Sequence, residues 1–158
     1  MTSHASKKGF SLIEILIFVS IISVILVAAA GYVIKLLFVL NVNRHKALAS
    51  YYTEDTKAWL DGERETNWQT VVDASSVSGT VYCLNNELEL EDQLSDFAEG
   101  ACTTADGIGT RVPQIYKREL TLTTNATQSQ VTASVVVSWV EGEKNQSVTL
   151  QTIYFPWY

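Results

Sequence analysis

Histidine is scarce in this 158-residue sequence: His4 and His45 are the only two. Neither lies in residues 63–158, so activation of a serine or cysteine nucleophile by histidine has no base there. The two cysteines, Cys83 and Cys102, make a poor metal set without histidine beside them. No phosphate-cradling glycine loop and no zinc-helix motif is present. Acid pairs occur, but spacing along a chain does not by itself make a glycosidase-like site. The expectation is a protein that is not an enzyme, with no catalytic residue, no metal ligand and no cofactor. Basic residues are also few. Residues 63–158 hold five against 13 acidic ones, within an overall charge of -6. Phosphate binding needs clustered lysine and arginine, so no nucleic-acid partner is expected.

What the sequence does have is a long apolar run behind a short basic start. From Ile15 to Ile34 there are 20 consecutive uncharged residues, about 30 Å of helix, which is the thickness of a bilayer's hydrocarbon core. Glu14 stands at the front of that run. An ionisable group at the edge of such a segment is costly and normally has a dedicated partner. The alternative is that its carboxylate snorkels to the interface.

The order Lys7-Lys8-Gly9-Phe10-Ser11-Leu12-Ile13-Glu14 ahead of an apolar helix resembles the N-terminal signature of type IV pilins and type II secretion pseudopilins. The resemblance covers about the first 35 residues. It implies that a prepilin peptidase cuts after Gly9, that Phe10 becomes the N-methylated first residue, and that Glu14 serves assembly. Electrostatics gives Glu14 the same role: a carboxylate among apolar groups seeks a cation, and a freed amine on Phe10 of a neighbouring subunit would be one. Many major pilins have a proline near the position of Gly31. This chain has none there, since its only prolines are Pro113 and Pro156.

A conventional secretory signal is the rival reading, with Ala28-Ala29-Ala30-Gly31 as the cleavage site. Against it stand Glu14 and an apolar core, 12–27, longer than the usual ~7 to 15 residues. Charge does not settle orientation, because Lys35, Arg44 and Lys46 follow the run as Lys7 and Lys8 precede it. In an oxidising compartment Cys83 and Cys102 would most simply pair, free thiols being the alternative. The pilin-like start together with that pairing puts the N-terminus in the cytoplasm and the C-terminal part outside.

Helical spacing continues past Ile34 through Leu37, Leu40, Leu48, Tyr51, Tyr52 and Trp59, with Gly62 as the expected left-handed cap. Residues 68–72 read as a short strand, 74–79 as a loop and 80–84 as a strand. The acidic patch of Glu87, Glu89, Glu91, Asp92, Asp96 and Glu99 reads as a solvated amphipathic helix carrying Leu90, Leu94, Phe97 and Ala98. It lacks the alternating Asp or Asn with a fixed glycine of a calcium loop. Residues 101–113 read as a loop. Three alternating segments, 115–124, 130–140 and 147–155, read as antiparallel strands joined by polar turns. Trp157 and Tyr158 are expected to close the core, an exposed partner-binding tip being the alternative.

The expected architecture is therefore α+β and pilin-like, a long N-terminal helix packed against a small C-terminal antiparallel sheet. Residues 1–9 are the leader, 10–62 the helix with its transmembrane segment at 10–34, and 63–158 the head. The expected role is a structural subunit, a minor pilin or minor pseudopilin, of a type IV pilus-like filament. Its partners would be prepilin peptidase, other pilin or pseudopilin subunits, the inner-membrane assembly machinery and, before assembly, membrane lipid. Its location would be single-pass in the inner membrane, then an extracellular or periplasmic filament. The alternative role is a membrane-anchored or secreted binding or adhesion domain.

Overall fold

The computed structural model describes residues 11–85, 88–89, 91–103, 108 and 115–156. Helix α1 runs Leu12–Thr66, α2 runs Trp68–Asp73, and four strands follow: β1 (Thr80–Cys83), β2 (Tyr116–Thr124), β3 (Val131–Glu141) and β4 (Lys144–Tyr154). Two units divide the chain, Met1–Val42 and Asn43–Tyr158.

In the second unit the strands form one antiparallel sheet in the order β1-β2-β3-β4. The sheet has four strands rather than the three expected, because 80–84, expected separately as a strand, joins it through the pairing of Thr80 with Leu122 and Cys83 with Glu119. Period-two alternation sets Tyr116, Arg118, Leu120, Leu122 and Thr124 inward on β2, and Val131, Ala133, Val135, Val137 and Trp139 inward on β3. Register keeps these sets on one face, with Leu120 opposite Val135 and Leu122 opposite Ala133. Each fully buried leucine or valine contributes about 1.5–3 kcal/mol relative to exposure.

The part of α1 in this unit lays Ala49, Thr53, Thr56 and Leu60 into the core, a stripe at spacings of four, three and four. Leu48 and Tyr51, both in the apolar periodicity, are exposed instead. Two threonines fit a buried stripe because their hydroxyls bond back into the helix, Thr53 to the Ser50 carbonyl and Thr56 to that of Tyr52, both at 2.8 Å.

Three expectations fail locally. Helix α1 does not stop at Gly62, which lies inside the helix and has no positive φ. The break comes at Asn67, whose extended backbone ends one helix and whose side chain accepts the Gln69 N–H at 3.1 Å to start the next. Residues 68–72 are consequently helix, not strand: Trp68, Val71 and Val72 follow i, i+3, i+4 spacing, and both valines are buried. The acidic patch is not an amphipathic helix; among its described residues only a 3-10 turn forms, Leu94–Asp96. Its aspartates bond to nearby backbone, Asp92 accepting from Glu89 N and Asp96 from Gln93 N, and so compete with helix formation. Leu94 and Phe97 anchor the segment in the core, and Trp59 donates to the Asp92 carbonyl at 3.1 Å.

The hairpin between β3 and β4 is tighter than expected, with only Gly142 and Glu143 between the strands. Gly142 has φ +63°, the geometry that a two-residue turn asks of its first residue. Trp157, Tyr158, Glu87, Leu90 and most of 101–113 lie outside the described residues; Ile108, which is described, bridges to Tyr116.

Candidate assembly site

From Leu12 on, the described part of the first unit is a single helical segment, and every described residue from Ser11 to Asn41 is exposed. Leu12, Phe18, Val24, Val27 and Ile34 each expose more than three fifths of their surface. Apolar surface on this scale is not stable against water and requires lipid or other helices around it. The segment is long and apolar enough to cross a membrane. Its hydroxyls fit that environment, because Ser20 donates to the Ile17 carbonyl at 2.7 Å and Ser23 to that of Val19 at 2.8 Å. The helix passes Gly31 unbroken.

Glu14 is the acidic residue of the first turn. Ser11 precedes the helix, and its carbonyl accepts the N–H groups of Glu14 at 3.0 Å and Ile15 at 3.3 Å. A carboxylate at this place is favoured by the unsatisfied N–H groups and partial positive charge of the helix start. Gly9 and Phe10 lie outside the described residues.

The pattern of the prokaryotic N-terminal methylation motif matches residues 4–30. The chain carries a prepilin-type cleavage and methylation signal. That signal, confined to residues 4–30, supports a pilin-like precursor processed by prepilin peptidase. A prepilin-type start followed by an exposed apolar helix fits an inner-membrane-anchored pilin. No curated protein and no solved structure matches the chain.

The remaining sequence-derived site lies in the second unit. Cys83 ends β1 and is disulfide-bonded to Cys102, 19 residues on, with Cα atoms 4.9 Å apart. The backbone N–H of Cys102 also donates to Glu119 Oε1 at 2.8 Å.

Two polar contacts between α1 and the sheet were not foreseen. Arg118 is 1% exposed, and its guanidinium donates to Asp55 at 3.0 Å and to the Leu84 carbonyl at 3.1 Å, with the Tyr52 ring beside it. Burial lowers its pKa, and the hydrogen-bonded Asp55 carboxylate opposes that. An arginine remains charged under both influences. His45 Nδ1 lies 2.6 Å from the Tyr116 hydroxyl, in an aromatic cluster with Tyr52 and Trp139. The signal for the first was in the alternation, which set Arg118 on the same parity as Leu120 and Leu122; a charge in a buried register needs a partner. Which acid supplies it is not readable from β2 alone.

Proposed function

We propose that this chain is a minor pilin or minor pseudopilin, a structural subunit of a type IV pilus-like filament. Residues 10–34 insert in the inner membrane with the C-terminal part outside, and the oxidising exterior suits the Cys83–Cys102 bond. Prepilin peptidase cuts after Gly9 and Phe10 is N-methylated. The assembly machinery then moves the subunit from lipid into a filament, where its apolar helix packs among those of other subunits. Glu14 sets the register by pairing with the amine of a neighbouring Phe10. The observation that carries this reading is one carboxylate in the first turn of α1, at the front of its exposed apolar stretch 12–41 and inside a methylation motif.

The test is mass spectrometry of the protein from cells, followed by assembly of Glu14→Ala. The expected mature protein begins at N-methylated Phe10, and Glu14→Ala inserts and is processed but is missing from filaments. A protein that keeps its first methionine refutes the reading. Filament incorporation unchanged by Glu14→Ala removes the register role and favours a membrane-anchored binding domain.

A further inference from the structure

The two edges of the sheet are finished differently. At the β1 edge the chain covers its own backbone: Gly100 N donates to the Val81 carbonyl at 2.7 Å and Cys83 N to the Ala98 carbonyl at 3.4 Å, and the Cys83–Cys102 bond ties that segment down. The other edge is β4, 11 residues long, with β3 on one side only. Among the described residues no hydrogen bond reaches its free side. Natural sheets blunt such an edge with charge, proline, a bulge or a short strand. This edge has none of these: residues 145–155 are uncharged and free of proline, and pairing with β3 is continuous from Lys144 to Tyr154.

The two-residue turn fixes which backbone groups are free. It makes Glu141 and Lys144 a hydrogen-bonded pair, and in an antiparallel ladder bonded and non-bonded pairs then alternate. Even-numbered residues of β4 therefore bond to β3, while Asn145, Ser147, Thr149, Gln151 and Ile153 turn both N–H and C=O outward. The same alternation points Val81 and Cys83 outward at the opposite edge, where the bonds to 98–100 are made. Side chains alternate with the backbone. On the helix-facing side Val148 and Leu150 pack on the core but are only half-buried, and on the other side Ile153 exposes 51% of its surface.

We propose that β4 accepts an extended, uncharged segment of a different protein as a fifth strand, antiparallel to it. A strand supplies N–H and C=O at the two-residue repeat of the free groups, so the backbone itself defines the ligand as peptide. Opposite Val148 and Leu150 that segment places apolar side chains, and opposite Ser147, Thr149 and Gln151 polar ones. A charge on it would meet no opposite charge along residues 145–155. A second copy of this chain fits less well. Its β1 edge is taken, so it offers only its own β4. Two β4 strands paired antiparallel about a two-fold axis set the helix of one head against that of the other, whereas subunits of one helical filament point the same way.

The full chain in lipid nanodiscs is titrated with the peptide acetyl-Thr-Val-Thr-Val-Thr-Val-Thr-amide, N-methylated at its valines. With valines facing Val148 and Leu150 in an antiparallel pair, the threonine N–H groups meet β4 and the methyl groups point away. Saturable one-to-one binding is expected, with the isomer N-methylated at its threonines about ten-fold weaker or more. Hydrogen exchange read residue by residue shows where the peptide sits: the amides of Asn145, Ser147, Thr149, Gln151 and Ile153 slow on binding, and those of the even-numbered residues, already bonded to β3, do not change. Thr149→Pro removes an outward N–H that β3 does not use and weakens binding about ten-fold. The isomer pair decides the matter even if that variant does not fold. The proposal is overturned by the absence of saturable binding, by equal binding of the two isomers, or by tighter binding of the threonine-methylated one, which would mean a parallel strand. It is also overturned if the chain alone is a dimer with the five amides already protected, which would make a second copy the occupant. The filament reading stands or falls separately, on processing at Phe10 and on Glu14→Ala.

Discussion

Truncating Asp55 to alanine tests how the head is held on its helix. Arg118 is buried to 1% exposure and Asp55 retains 35% of its side-chain surface, so the pair is only half desolvated. Stripping the partner from a fully buried charge costs about 3–5 kcal/mol, and losing a hydrogen bond to a charged group about 1.5–3 kcal/mol. Water reaching Asp55 and the retained bond from Arg118 to the Leu84 carbonyl place this site toward the lower range, about 2–3 kcal/mol. For a head of this size that is a fall in melting temperature of about 10–20 °C. Urea unfolding of the full chain in detergent, followed by near-ultraviolet circular dichroism of the tryptophans, measures it as a midpoint shift at constant slope. Lys57→Ala is the control. Its ion pair with Asp61 is 3.2 Å long but about a third exposed on both sides, and it contributes about 0.3–0.5 kcal/mol. The double variant Asp55→Ala with Arg118→Met removes both charges and recovers most of the loss, because a buried pair and an apolar replacement are close in free energy. If Asp55→Ala costs no more than Lys57→Ala, the pair is solvent-screened and the reasoning fails.

Three other outcomes follow from the same structure. Reducing Cys83–Cys102, or replacing both cysteines by serine, frees a 19-residue separation and lowers stability by about 3 kcal/mol, read from urea curves with and without reductant. Gly79→Ala destabilises more than Gly142→Ala: both glycines have positive φ, but a Cβ at 79 also meets Thr123 Oγ1 at 3.1 Å and Thr121 Cγ2 at 3.2 Å, whereas the space at 142 is open. The backbone part costs about 1 kcal/mol at each, and the difference between the two urea midpoints measures the contact. Burial first, then the nearby Asp61 carboxylate, raise the Tyr154 pKa above its ordinary 10.0, with Arg64 opposing. The folded state therefore keeps a proton that the unfolded state releases, so stability is intact below pH about 10 and declines as pH rises beyond it. Tyr154→Phe flattens that decline in a urea series from pH 8 to 11.

Much of this chain is legible without coordinates because local rules dominate there. The apolar run of 15–34 is a single helix whose lack of charge dictates its surroundings, and Glu14 stands out by type alone. Strands β2, β3 and β4 declare themselves by alternation, since one face of an antiparallel sheet is buried and the other is wet. Residues 67–99 are less legible. There short segments with mixed signals take their form from competing side-chain bonds: Asn67 caps α2, and Asp92 and Asp96 close turns where a helix was expected. The sequence by itself determined the processing signal, the membrane-length helix, the disulfide-capable pair and the α+β class. Only the tertiary structure decided that Arg118 meets Asp55 and that His45 meets Tyr116. These are contacts between residues 63 and 71 positions apart, and no periodicity within one element specifies which distant element closes against it.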